Sequence, residues 1–345
     1  MKNWMYKLYI GLLGCFAMAC QSSQEEVQLP PGKVQISFTL ALDDLHSRSR
    51  AEGDWNENET TTGIIGDEYE NQIDLRNGLQ VLVYSADGTQ YISKVTNPEV
   101  VRQSTENGRV YEFQGVLEID AQYLNNSQLA CRLMVFANCG TATDATKESL
   151  TFVHNAAYIP MWGVQSCTLT LAKGEMSRVP QTIHLLRAMA KVEVVMADAI
   201  KSEYDLTSVT LDKYNTSGYV LPTGYASASN TATLMQQDVF RALAGTGEGS
   251  LAFAGADGTY HIYIPEYQNV GEGASPATMK LMVNGEEYTL DFKDYATDAA
   301  FNIVRNHYYQ YVITDVNTVE NVLVTELLYQ SMPWTDIDNG QLEFN

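Results

Sequence analysis

Apolar and polar residues alternate along much of this chain, and the clearest case comes early. Val34, Ile36, Phe38, Leu40 and Leu42 take every second position of a nine-residue run. A period of two puts successive side chains on opposite faces, so the spacing predicts a strand over 34–42 with one face toward a core and the other toward solvent. Residues 43–72 then lose all period. They are acidic and polar, predict a long exposed loop, and hold Arg48 and Arg50. Strand patterns return from Ile73. The run 79–84 leads through Ala86-Asp87-Gly88 into a second run from Tyr91, and Asp-Gly between apolar runs predicts a hairpin. Residues 110–119 predict another strand. The stretch 133–137 is apolar throughout and predicts a fully buried one. Residues 158–163 predict a strand end entering a turn, and 168–171 a short strand.

Near mid-chain, 182–195 starts as a strand, breaks around 187–190 and resumes as a strand. That break sets a domain boundary, giving 33–184 and 185–345. The second half repeats the pattern, with a strand at 208–214, a turn at Ser217-Gly218-Tyr219, and loops at about 223–234 and 243–259. Residues 261–265 predict a strand ended by Pro265. Asn284-Gly285 predicts a hairpin between 278–283 and 287–292, and 303–313 leads into a further strand. The last segment, 320–345, carries Val322, Val324, Leu327, Leu328, Trp334, Leu342 and Phe344. No stretch has a convincing helical period. Strands at regular intervals, and a length suited to two domains, predict an all-β chain of two β-sandwich domains. The 21 tyrosines, with frequent Thr and Val, agree, since these residues favour strands.

The start of the chain reads differently. Lys2 and Lys7 precede an apolar run that ends in Ala17-Met18-Ala19-Cys20. A basic start, a short apolar core and small residues before the break are the layout of a secretory signal. The run is too short to span a bilayer permanently. Ending at a cysteine, it reads as a lipobox with Ala where Leu is usual, and Cys20 is the expected lipidation site. Leu12-Leu13-Gly14-Cys15 is a rival box, but polar Gln21-Ser22-Ser23 after Cys20 favours the later cut. Ordinary cleavage after Ala19 is the alternative. Residues 1–19 are then the signal and 20–32, proline-rich at its end, a tether. Several acyl chains on Cys20 would give a stable membrane anchor.

Charge narrows the partners. The formal net charge is −21, and removing residues 1–19 takes away two lysines and no acid, leaving −23. So acidic a surface repels nucleic acid. Cys131, Cys139 and Cys167 remain after Cys15 and Cys20. Three thiols permit at most one disulfide, and all three read as small buried hydrophobes. The five histidines lack metal-ligand spacing, and no Gly-x-Ser-x-Gly elbow occurs. Gly245-Thr-Gly247-Glu-Gly249 lacks dinucleotide spacing, and Asp336-Ile-Asp338-Asn339-Gly340 is out of register for a calcium loop. Neither a cofactor nor an enzyme activity is expected.

Several short segments, in order, carry a family likeness. They are the lipobox at Cys20, the strand 34–42 with its arginine loop, the apolar run 133–138, and Ile159-Pro160-Met161-Trp162-Gly163. Further along come Leu186-Arg187-Ala188-Met189-Ala190-Lys191-Val192, Arg305-Asn306-His307-Tyr308-Tyr309 and Pro333-Trp334. On these the chain resembles the fimbrillin family of Bacteroidales, the subunits of type V pili, over nearly its whole length. The resemblance implies two tandem transthyretin-like β-sandwich domains, export as a lipoprotein to the outer-membrane surface, and a role in adhesion. It implies cleavage after Arg48 or Arg50 by an arginine-specific protease. Loss of strand 34–42 would then open a groove for the C-terminal strand of a neighbouring subunit, drawn from 320–345. Burial of Val34, Ile36, Phe38, Leu40 and Leu42 would be worth roughly 8–15 kcal/mol gross, at about 1.5–3 kcal/mol each. Two alternatives stay open on the residues: an uncleaved lipid-anchored anchor subunit, and a surface glycan-binding lipoprotein. The residues of 320–345 serve equally as the last strands of the chain's own second domain.

Overall fold

The computed structural model describes residues 32–42, 69, 72–75, 78–103, 110–124, 126–172, 175–235, 240–243, 247–317 and 322–330. Among the described residues strand accounts for 58% and helix for 5%, which makes the fold all-β.

The first strands are β1 (Lys33–Leu42), β2 (Leu79–Ser85), β3 (Tyr91–Gln103), β4 (Val110–Glu118) and β5 (Gln128–Ala137), then β6 (Thr151–Val153), β7 (Met161–Thr170) and β8 (Ser177–Arg187). All but β6 form one sheet in the order β1-β4-β3-β2-β5-β7-β8, which closes on itself as a barrel. Strand spacing predicts a β-sandwich here, and the sheet of this half is continuous and closes into a ring. The closure comes from β1, which pairs antiparallel with β4 on one side and parallel with β8 on the other. A strand laddered on both sides joins what would otherwise be two sheet edges.

The second half comprises β9 (Met189–Met196), β10 (Leu206–Tyr214), β11 (Ser217–Tyr219), β12 (Gly247–Ala252), β13 (Ala254–Ala256), β14 (Thr259–Pro265), β15 (Thr278–Val283) and β16 (Glu286–Asp291). It ends with the short β17 (Lys293–Asp294) and β18 (Ala299–Ala300), then β19 (Tyr308–Asn317) and β20 (Val322–Gln330). A four-stranded sheet, β12-β10-β15-β16, faces a five-stranded one, β13-β14-β9-β19-β20. Val209, Leu211, Met279 and Leu281 from the first share a core with Val192, Val194, Tyr309 and Tyr311 from the second. The barrel has its own core, which Val220, Leu221, Ala228 and Leu234 of the second half join, and along the β8–β9 connection the two cores part between Met189 and Ala190.

Local signals match where turn chemistry was explicit. Asn284 and Gly285 both adopt positive φ (50° and 85°) between β15 and β16, as a tight hairpin demands. Residues 133–137 are all buried on β5. Other expectations need correction. Residues 158–160 lead into β7 rather than ending a strand. Ser217–Tyr219 is not a turn but a strand, β11, pairing with β6. The loop placed at 223–234 ends in a short helix, Thr231–Met235. The loop at 243–259 contains β12 and β13, because Gly-rich sequence gives no period even when its backbone is paired. The break at 187–190 narrows to Ala188 alone.

Candidate functional site

The candidate site is the slot held by β1. Its even-numbered apolar residues, Val34, Ile36, Phe38, Leu40 and Leu42, are each at most 5% exposed. The two-faced pattern is only partly kept, because Ser37 and Ala41 on the other face are buried as well. Register with β4 runs from Lys33↔Glu118 to Ala41↔Val110. An exposed Lys33–Glu118 ion pair of 2.7 Å marks one end. Phe38 lies opposite Phe113, their rings stacked at 5.6 Å. The hydroxyl of Ser37 donates to Glu112 Oε1 at 3.2 Å. On the other side, Ile36↔Ser177 through Leu42↔Leu185 run parallel along β8, with a bulge between Ser37 and Thr39. β1 is thereby held by two ladders and a row of apolar side chains, and joined to the next described residues only through the 43–68 segment.

Arg48, Arg50 and Cys20 lie outside the described residues, as do Trp334, Leu342 and Phe344. The far end of the loop expected to be exposed is tied down. Tyr69 donates its hydroxyl to Ala156 O at 2.8 Å and packs edge-on against Tyr263. Ile73 is buried. Asn138 receives the Asp74 N–H at 2.8 Å and donates to Gln72 O and Ile159 O. Val322, Val324 and Leu327 lie on β20, at the edge of the chain's own five-stranded sheet, in an antiparallel ladder with β19. Leu323 and Thr325 are buried on that strand.

Three of the motif segments, 159–163, 186–192 and 305–309, converge on one place, where they hold the structure together. Ala188 N–H donates to Pro160 O, Asn306 N–H to Met189 O and Lys191 N–H to His307 O, at 2.8, 2.8 and 2.9 Å. Gly163 is dictated by contact, since a Cβ there would sit 2.4 Å from His184 O. Arg305 and Glu266 form a buried ion pair of 2.7 Å, with side chains 1% and 2% exposed. Arg305 also donates to Val220 O and Tyr219 O, at 2.8 and 3.0 Å. Buried Glu193 accepts from Tyr308 Oη and Gln310 Nε2, at 2.7 and 2.9 Å. Burial depresses the His307 pKa, and its Nδ1 lies 2.7 Å from Arg305 O. Arg305 stands in a motif segment legible in the sequence, whereas Glu266 does not. Its one available signal was a charged residue directly after the strand-ending Pro265.

A separate cleft of about 570 Å³ lies beside β2 and β3, lined among others by Tyr91, Lys94, Thr96, Asn97, Thr143 and Asp144. Tyr91 is 37% exposed, whereas Trp162 is fully buried. Lys147 donates to Asp144 at 2.8 Å and Tyr84 does so at 2.9 Å, and these bonds, that of Lys147 foremost, hold the Asp144 carboxyl below its ordinary range.

This chain is similar in structure to a set of Bacteroides proteins. One, from Bacteroides uniformis and described as a "putative cell adhesion protein", is 11% identical with a TM-score of 0.48, covering 88% of this chain and 99% of that one. Another so described, from Bacteroides eggerthii, is 13% identical with a TM-score of 0.44, covering 88% and 97%. An adhesin so qualified from Bacteroides thetaiotaomicron is 9% identical with a TM-score of 0.38, covering 76% and 90%. No protein-family model matches the chain, and no curated protein does.

Proposed function

We propose that this chain is a non-enzymatic structural subunit of a cell-surface fimbria, built from two tandem domains of transthyretin-like type and serving adhesion. It is exported as a lipoprotein through Cys20 and reaches the outer-membrane surface. An arginine-specific protease cuts after Arg48 or Arg50, and strand exchange with neighbouring subunits builds the polymer. The observation that carries this reading is β1, the first strand among the described residues, whose five inward side chains are buried between β4 and β8. Once the 43–68 connection is cut, only non-covalent contacts retain it. Its departure would bare a groove with unpaired backbone on two sides, a template for an incoming strand. The donor would come from 320–345 of another copy. The lipid would leave with β1, freeing the subunit from the membrane.

Digestion of the purified full chain with an arginine-specific protease tests this, followed by N-terminal sequencing and size-exclusion chromatography. Cutting after Arg48 or Arg50, with slow growth of protease-resistant oligomers, is the expected result. A chain that stays uncut and monomeric sinks the polymerising role and favours the uncleaved anchor subunit.

The Tyr91 cleft favours a second reading, a glycan-binding surface lipoprotein, because a half-exposed aromatic beside Lys94, Asn97 and Asp144 offers a stacking face ringed by hydrogen-bonding groups. Saturable oligosaccharide binding lost in Tyr91→Ala would support it; the absence of binding across a glycan array would remove it.

A further inference from the structure

Three thiols among the described residues are unassigned, and the fold separates them. Cys131 on β5 and Cys167 on β7 are direct partners in an antiparallel ladder, between Ala130↔Thr168 and Arg132↔Ser166. Their Sγ atoms lie 3.7 Å apart. Directly opposed antiparallel residues keep their Cα atoms about 4.5–5.5 Å apart. That lies inside the roughly 4.4–6.8 Å that a disulfide spans. Rotation of the two side chains is the movement required. Cys139 lies beyond the end of β5, and burial pushes its thiol up to about 12, which keeps it protonated and unreactive in the folded chain.

The ladder around this pair gives the bond a purpose. β7 is paired along its length with β5, but with β8 only at Met161↔Arg187 and Trp162↔Leu186. From Gly163 to Thr170 the edge away from β5 is left by β8 and taken by the 229–231 segment, with Val164 N–H donating to Thr231 Oγ1 at 2.8 Å and Ser166 N–H to Ser229 O at 2.7 Å, before Thr170 N–H returns to Ser177 Oγ at 2.9 Å. Cys167 sits between those contacts, on the part of β7 that β8 does not pair.

We propose that Cys131 and Cys167 are a disulfide-forming site that pins the outer half of β7 to β5 when the chain meets a thiol–disulfide oxidant. Cys167 is the attacking thiol. It is only half-buried, whereas Cys131 is 1% exposed. Either sulfur can donate in their contact; with the Cys131 thiol donating, the bond favours the Cys167 thiolate, and that bond and burial push Cys131 up. The Cys167 thiolate attacks a sulfur of the oxidant's disulfide and expels one thiol. The Cys131 thiolate, its proton lost to solvent, then attacks Cys167 Sγ in the mixed disulfide and expels the second. Two protein thiols give up two protons and two electrons, and the oxidant's disulfide becomes two thiols. The oxidant class is a small disulfide such as oxidised glutathione, or the active-site disulfide of an oxidoreductase. β1 lies outside the cross-linked pair of strands, so the bond leaves its release unhindered.

The test uses the full chain, reduced, desalted, incubated with oxidised glutathione, blocked with N-ethylmaleimide, unfolded and mapped by mass spectrometry. The expected product is a peptide joining Cys131 to Cys167, two hydrogens lighter than the reduced pair, with Cys139 unlinked. The oxidised chain should also show a higher melting midpoint that dithiothreitol reverses, a shift lost in Cys131→Ser/Cys167→Ser. Alkylation of both thiols after oxidant treatment, or linkage through Cys139, overturns the proposal. This outcome is independent of the fimbrial reading, which the protease experiment decides alone.

Discussion

Arg305 and Glu266 show how much a single buried pair can control. Each carboxylate oxygen of Glu266 is engaged by the Arg305 main chain or guanidinium, and the guanidinium also binds two main-chain carbonyls. Arg305→Met would leave the Glu266 carboxylate buried without its counter-ion, held only by the main-chain N–H groups of residues 305 and 241. Loss of one partner of such a pair costs about 3–5 kcal/mol. The expected outcome is a lower urea midpoint at unchanged slope. His307 supplies a pH dependence of defined sign. Burial depresses its pKa below the ordinary value of about 6.5, so the unfolded chain binds the proton more tightly than the folded one. Stability is therefore fully present above about pH 6.5 and is lost as pH falls toward the folded pKa. Unfolding titrations at pH 7 and pH 5 should show this fall in the native chain and a smaller one in His307→Gln.

At the scale of the element, β1 matters most. Its period of two was readable, and the inward residues fall where the period put them. Alternation did not reveal that the second face is covered too, because which neighbours flank a strand depends on segments far along the chain. Phe38 stacks on Phe113 across the β1–β4 ladder and is 1% exposed. Phe38→Ala should cost about 3–5 kcal/mol, read from chemical denaturation of the uncut chain. The same change should speed the loss of β1 after arginine-specific cleavage, since the strand is then retained by packing and ladder bonds alone. A variant that keeps its stability would show that β1 is not a packed part of the barrel.

At the scale of the whole molecule, the two cores meet at residues that each half needs. Val220 belongs to the barrel core, and its carbonyl is bound by Arg305, which leads into β19 of the other core. Arg187 ends β8, and Asn306 accepts its main-chain N–H at 3.2 Å. Such shared, buried hydrogen bonds couple the two halves. The expected outcome is a single calorimetric unfolding transition with equal calorimetric and van't Hoff enthalpies, splitting into two in Arg305→Met. Two transitions in the unaltered chain would show that the halves unfold independently.

The sequence by itself determined the features set by near neighbours along the chain. These are the all-β class, the hairpin at Asn284-Gly285, the buried run at 133–137, the five inward residues of β1 and the break near Ala188. Each rests on a period or a turn residue whose physics is local. Closure of the barrel through β8, the burial of Ser37 and Ala41, the pairing of Arg305 with Glu266 and the facing of Cys131 with Cys167 were decided only in three dimensions. All of these join residues more than thirty positions apart. Side-chain period says which way a residue points, but not which strand it will meet, and that choice is made by the packing of both cores together.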